Sequence, residues 1–234
     1  GAIFENCTSL TSVTISENSQ VTSIPDHAFY GCSSLTSITI PPSVTEIESL
    51  AFSNCSSLTS ITIPPSVKKI GSWAFSYCTS ITAVHIKNLE AWITTTFKAD
   101  TSNPLHKGCD LYLNNVKLED LVIPDSITSM KGDTFNGCTS ITSLTLPSTL
   151  TSIPEMTFRG CVNIKTIKSL NTSAPTIDRT TFGDGNTSYV GLNTASTGEN
   201  ILYVPQGATG YNTGNWLDPL QNASKCGFTI SYTL

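Results

Sequence analysis

Cys32, Cys55 and Cys78 follow one another at intervals of 23 residues (55 − 32 and 78 − 55), and Cys138 and Cys161 repeat the step (161 − 138). The stretches between them are near copies. LTSITIPPSV stands at 35–44 and again at 58–67, and each is followed by Ala-Phe, with the phenylalanine three residues ahead of the cysteine. A period of that length, with apolar residues at fixed offsets, marks a solenoid whose turns bury their apolar sides only by stacking on one another. The 234 residues suffice for a substantial core. We read them as a single domain, 1–234, with regular repeats over 1–88, an irregular repeat with an insertion and hairpin over 89–123, regular repeats over 124–168, and divergent repeats and a cap over 169–234.

Within one unit, Leu35, Ile38 and Ile40 alternate with Ser37 and Thr39, the spacing of a short strand with one face buried. Pro41 and Pro42 end it, because proline has no amide to donate to a ladder. Val44 and Ile47 return to the core in a second short extended run. Phe52 then supplies the largest core side chain, from a single helical or 3-10 turn. Phe29, Phe52, Phe75, Phe135 and Phe158 are expected to stack as an aromatic spine. Cys7, Cys32, Cys55, Cys78, Cys138 and Cys161 occupy equivalent places and read as small buried hydrophobes outside any disulfide. Cys109 and Cys226 lie off the frame. No Cys-x-x-Cys occurs, which leaves no redox motif and no zinc knuckle.

Regularity breaks after Cys78. Phe75 and Phe135 are 60 residues apart (135 − 75) where two turns would span 46 (2 × 23), an excess of 14. DLYLNNVKLEDLVI at 110–123 reads as a hairpin turning at Asn114-Asn115, a pair that tolerates positive φ. Beyond Cys161 the pattern decays. Pro175, Ile177 and Phe182 imitate a further turn, 201–204 reads as a strand, Tyr211, Trp216 and Leu217 read as a cap, and 228–232 as a last strand.

Charged residues are 12% of the chain and the formal net charge is −5. No basic stripe exists to track a phosphate backbone, which excludes nucleic acid as a partner. No run of 18 apolar residues exists either, so nothing in this stretch inserts into a membrane as a helix. His27, His85 and His106 belong to no nucleophile, zinc or metalloprotease arrangement. The expectation is a non-enzyme with no catalytic residues, no metal and no cofactor. Asp178 and Asp184 flank GDGN at 183–186, but the EF-hand spacing is absent.

Stacked strands would present an outer sheet face, and its positions are Ser12/Thr14, Ser37/Thr39, Ser60/Thr62, Ala83/His85, Asp120/Val122, Ser143/Thr145 and Thr166/Lys168. Ser37, Thr39, Ser60 and Thr62 could hydrogen-bond a peptide or glycan; they read equally well as small strand formers on a solvated sheet. The centre of the face differs, because His85 and Asp120 replace hydroxyls beside the insertion, where specific sites tend to lie. Trp92, Asn103, His106 and Tyr112 complete the candidate binding set. Trp92 has a competing core reading, since Leu89 and Trp92 keep the spacing of Val44 and Ile47. Tyr112 fits either role.

The frame L-x-x-I-x-I-P-x-S-V-x-x-I-x-x-x-A-F-x-x-C, carried over 3–168, resembles the BspA-like leucine-rich repeats of surface proteins of anaerobic gut and oral bacteria and some parasitic protists. LEAW, SNPL, LYLN and LVIP within 89–123 resemble a divergent unit of these proteins, and ILYVPQGA with Tyr211 and Trp216 resembles their closure. The resemblance implies a mainly β leucine-rich-repeat solenoid: a right-handed coil of short parallel strands with a convex side that is non-helical or carries short 3-10 or helical turns. It also implies a secreted or cell-surface location and non-enzymatic adhesion, as a monomer, to a host matrix or bacterial surface protein or glycan. The rival reading is a rigid spacer presenting another domain of a longer surface protein, and Gly1, which opens inside a repeat, fits a piece cut from something longer. Pro41, Pro64, Pro124 and Pro147 stand where the wider leucine-rich-repeat consensus has asparagine, so ligand rules of other classes are not transferable.

Overall fold

The computed structural model describes residues 2–178, 180–183, 200–212, 216 and 228–233, and these fall in two compact units, 1–117 and 118–234. Both are built as right-handed solenoids of short parallel strands with little helix.

In the first unit each regular turn has three sides. One side carries the parallel strands Ser12–Thr14 with Ser37–Thr39, and Ser60–Ile63 with Ala83–Ile86 and Asp110–Leu113. The second carries Ser23–Ile24, Glu46–Ile47, Lys69–Ile70 and Thr96–Phe97, again all parallel. The third is a stack of turns rather than helices. Amides of Leu50, Phe52 and Asn54 donate to the carbonyls of Ser72, Ala74 and Ser76 at 3.0, 2.9 and 2.8 Å, and His27, Phe29 and Gly31 reach Ser49, Ala51 and Ser53 in the same way. A helical turn cannot propagate here because the residue two places before each phenylalanine is left-handed: His27, Leu50 and Trp73 have φ of 57°, 57° and 56°. The residue two places after is left-handed too, and is Gly31, Asn54 and Tyr77 in successive turns. A non-glycine residue there is disfavoured by about 1–2 kcal/mol.

The core is the predicted spine. Phe29, Phe52 and Phe75 stack at centroid separations of 5.4 and 5.3 Å with planes within 13°, and Phe4 extends the column at 5.5 Å. The second unit repeats the arrangement with Phe135, Phe158 and Phe182 at 5.5 and 5.4 Å, so 175–182 does form a turn. Its sheet orders Asp120–Val122, Ser143–Leu146, Thr166–Ser169, Asn200–Val204 and Phe228–Tyr232 in parallel. Tyr211 and Trp216 are buried, as a cap requires: the Tyr211 hydroxyl lies 2.6 Å from that of Ser169, and Trp216 Nε1 donates to the Pro175 carbonyl at 2.6 Å. Leu217 and Cys226 lie outside the described residues.

The cysteines do more than fill space. Each phenylalanine carbonyl accepts the cysteine amide of its own turn, as Phe52 does from Cys55 at 3.0 Å, and also the thiol of the next turn, as from Cys78 at 3.0 Å. Cys32, Cys55 and Cys161 donate likewise to Phe4, Phe29 and Phe135 at 3.0, 3.2 and 3.2 Å. Both lone pairs of a buried carbonyl are thereby used, with a thiol as the second donor. Burial pushes these thiols up, Cys78 from an ordinary 9.0 to about 12 and Cys55 and Cys161 further still.

The irregular segment forms a turn of 27 residues between Ala83 and Asp110 (110 − 83), which are partners in the sheet. Its extra length goes into the helix Leu89–Thr94, capped by Asn88, whose side chain accepts the Ala91 amide at 2.8 Å. The place of Ile47 and Ile70 is then taken by Phe97, not by Trp92.

Truncating Phe52, which is fully buried between two rings, is expected to destabilise the chain by about 3–5 kcal/mol, seen as a lowered urea midpoint; the half-exposed Phe4 should lose less. The thiols set a pH dependence. Unfolded cysteines ionise near 9.0 while the folded ones hold their protons to about 12 or beyond, so the unfolded state binds fewer protons in that window. Stability is therefore constant below pH ~9 and falls progressively above it, and replacing Cys55 and Cys78 with alanine should flatten that slope in alkaline urea titrations.

Candidate functional site

The outer sheet face of the first unit begins as short hydroxyl side chains. Ser12 lies beside Ser37 and Thr14 beside Thr39. Ser37, Thr39 and Thr62 are exposed and Ser60 is half-buried. The composition of the face changes at its far side: Thr62 is followed in register by His85 and then by Tyr112, and Ser60 by Ala83 and then Asp110.

The imidazole of His85 stacks on the Tyr112 ring at 4.9 Å with planes 21° apart. Flat stacking follows from the parallel register, which sets side chains of one row directly alongside each other on the same face. The hairpin then turns at Asn114 and Asn115, with φ of 52° and 65°, and returns as Val116–Lys117 antiparallel to Asp110–Leu113. Positive φ at both central residues is the type I′ geometry, whose twist matches the flanking strands. Lys117, opposite Tyr112, reaches across so that its Nζ lies 2.8 Å from Asp110 Oδ2. The result is one platform: an imidazole on a phenol, bordered by an ion pair and by Val116, which is 70% exposed. Its Lys117–Asp110 pair is partly solvated and adds little stability, so its contribution is both signs of charge at the edge of an aromatic surface.

The other sequence candidates fall elsewhere. Asp120 is exposed but belongs to the second unit, where it pairs with Ser143 and accepts its hydroxyl at 2.6 Å. The neighbour of His85 is thus Tyr112 and not Asp120, because the 27-residue turn adds a strand between the two rows that a 23-residue count passes over. Trp92 is 2% exposed and packs edge-on to Phe97 at 5.2 Å, which takes its ring off the surface. Asn103 is fully buried and shapes its loop: its side chain accepts the Leu105 amide at 2.9 Å and its carbonyl accepts His106 N at 3.1 Å. His106 is half-buried, with Nδ1 2.8 Å from that same carbonyl. These residues hold the irregular turn in shape, whereas His85 and Tyr112 present themselves outward.

Sequence reasoning passed over Asp110 and Lys117, although the alternation in DLYL could have placed Asp110 on the face of Tyr112. It also passed over Tyr203, which continues the row Thr145, Lys168 in the second unit. Among the described residues no group of three or more His, Cys, Asp or Glu side chains is placed to hold a metal ion, and no helix is long and apolar enough to cross a membrane. Asp178 uses its carboxylate locally, accepting the Thr180 amide and hydroxyl at 2.8 and 2.7 Å; Asp184 lies outside the described residues.

A family model described as BspA type leucine rich repeat region matches residues 2–103 and 108–207. No curated protein matches the chain. Among solved structures, a leucine-rich repeat protein from Bacteroides ovatus is 30% identical with a TM-score of 0.45, over 68% of this chain and 39% of its own. The T. pallidum leucine-rich repeat protein is 25% identical with a TM-score of 0.37, over 74% and 63% respectively. A leucine rich cell surface protein from Faecalibacterium prausnitzii is 22% identical with a TM-score of 0.43, over 99% and 62%. The chain therefore spans less than two thirds of each of these proteins.

Asn115→Gly is expected to stabilise the hairpin, since Asn-Gly suits a type I′ turn best. The gain should be up to about 1 kcal/mol, read from the denaturation midpoint, with the His85–Tyr112 platform unchanged.

Proposed function

Because the chain belongs to the BspA-type leucine-rich-repeat family, we propose that it is an exported surface module that binds a protein partner on a host matrix or a neighbouring bacterium. A leucine-rich-repeat solenoid of this type is a non-catalytic binding scaffold. The contact is made by the outer sheet face of the first unit, centred on His85 and Tyr112. The observation that supports this reading most is their stack beside the Asp110–Lys117 pair. Interfaces draw their affinity from a few aromatic and charged anchors ringed by near-neutral contacts, and here the anchors are bordered by the hydroxyls of Ser37, Thr39, Ser60 and Thr62. A platform with both charge signs at its rim suits a protein surface, which also carries both. The uniform hydroxyl rows at Ser12, Thr14, Ser37 and Thr39 support a second reading, a rigid spacer for a longer surface protein.

The experiment is binding of the purified chain to immobilised host matrix proteins and to intact neighbouring bacteria. The double variant His85→Ala, Tyr112→Ala should lose about 2 kcal/mol, a drop of some tens of fold in affinity, with unchanged thermal unfolding. Thr39→Ala with Thr62→Ala should shift affinity by under about 0.5 kcal/mol. Equal binding by the double variant would remove the platform from the contact, and binding to nothing would favour the spacer.

A further inference from the structure

Two aromatic rings stand in solvent on the turn 71–78: Trp73 is 54% exposed and Tyr77 63%. Both occupy left-handed backbone positions, with φ of 56° and 59°, where the equivalent residues of the neighbouring turns are Leu50 and Asn54, and His27 and Gly31. Large side chains are the least suited to that conformation. Neither ring gains the burial that would offset it. A disfavoured backbone state that core packing does not explain is the kind of feature found where a surface is used.

A second observation lies on the same turns. A cleft of ≈ 490 Å³ opens beside Trp73, lined by Asp26, Glu48, Ser49, Ser72 and Lys98 and by the ion-paired Glu46 and Lys69. Gly71 leaves its floor as bare backbone, since a Cβ there would lie 2.5 Å from the Ser49 amide nitrogen. The charges nearly balance. Glu46 and Lys69 neutralise each other, Glu48 accepts the Asp26 amide at 3.1 Å, and Lys98 offsets one of the remaining carboxylates. Nothing in such a lining selects an ion of either sign. What it offers is closely spaced donors and acceptors next to flat apolar rings.

That combination fits one ligand chemistry. A pyranose lays its apolar C–H face on an aromatic ring while its hydroxyls, each both donor and acceptor, reach carboxylates, hydroxyls and an ammonium at the edge. We propose that the turn 71–78 and its cleft bind a neutral hexose oligosaccharide. Trp73 and Tyr77 are the stacking platforms, and Glu48, Ser72 and Lys98 the hydrogen-bonding groups. This site is separate from the His85–Tyr112 platform and stands whether or not that platform binds a protein.

Trp73 reports on its own occupancy. Trp92 and Trp216 are buried, 2% and 5% exposed, so the solvent-sensitive part of the tryptophan emission comes from Trp73. The intact chain is titrated with cellohexaose, maltohexaose and mannohexaose. The expected result is a saturable blue shift with at least one of the three. Trp73→Gly suits the left-handed backbone, so its melting temperature should hold or rise while affinity, read by calorimetry, falls by about tenfold or more. Tyr77→Gly should behave alike, whereas His85→Ala with Tyr112→Ala should bind the sugar as the parent does. No response to any of the three sugars overturns the proposal, as does undiminished binding by Trp73→Gly. If Trp73→Gly instead abolishes capture of a protein ligand while no sugar binds, the surface is a protein contact and the glycan assignment falls.

Discussion

The carbonyl of Phe52 accepts two hydrogen bonds, one from the Cys55 amide inside its turn and one from the Cys78 thiol of the next. The first closes the turn after the aromatic ring has entered the core; the second ties that closure to the following turn. The same carbonyl therefore sets where a turn ends and how far the next is offset. Phe4, Phe29 and Phe135 repeat the arrangement. An alanine or valine in place of the cysteine could fill the volume but would leave a buried lone pair unused. The recurrence of cysteine, rather than of any small apolar residue, follows from that second bond.

From this alignment the rest of a turn derives its geometry. With phenylalanine rings stacked within 5.5 Å in both units, backbones of successive turns sit close enough for ladder bonds on all sides. The price is conformational: the chain must enter and leave the Phe turn through left-handed residues, and several of them are not glycine or asparagine. The column repeats whatever the outer residues are, so the solvent-facing side chains of each turn are at liberty to differ. His85 and Tyr112 differ on the sheet side, and Trp73 and Tyr77 on the turn side.

Much of this was legible in the sequence because apolar period and proline placement are local signals. The strands, the phenylalanine spine, the Asn114-Asn115 hairpin and the imitation turn ending at Phe182 all follow from residue spacing. Two kinds of feature did not show. The left-handed entries into the Phe turns are invisible when the residue is His27, Leu50 or Met156, because tertiary stacking, not residue preference, imposes the angle. The neighbour of His85 was misplaced because a count of 23 skips a turn of 27; Asn88 ahead of Leu89 was the available clue, an asparagine cap announcing a helix that absorbs the surplus. Trp92 and Asn103 illustrate the converse. Their residue types suggest contacts with a partner, yet both are consumed in building the irregular turn.

Register between regular turns in the first unit is uniform: the Thr45 amide donates to Thr22 and the Lys68 amide to Thr45, each a step of 23 (45 − 22 and 68 − 45). The turn that begins at Leu35 and the one that begins at Leu58 present nearly the same upper and lower surfaces. Unequal exchange between the two copies of LTSITIPPSV would remove or add a whole turn and recreate a junction that the protein already uses. The number of turns is then a quantity that inheritance can vary without redesigning a single contact, and the outward rows can be lengthened or shortened to suit what they face.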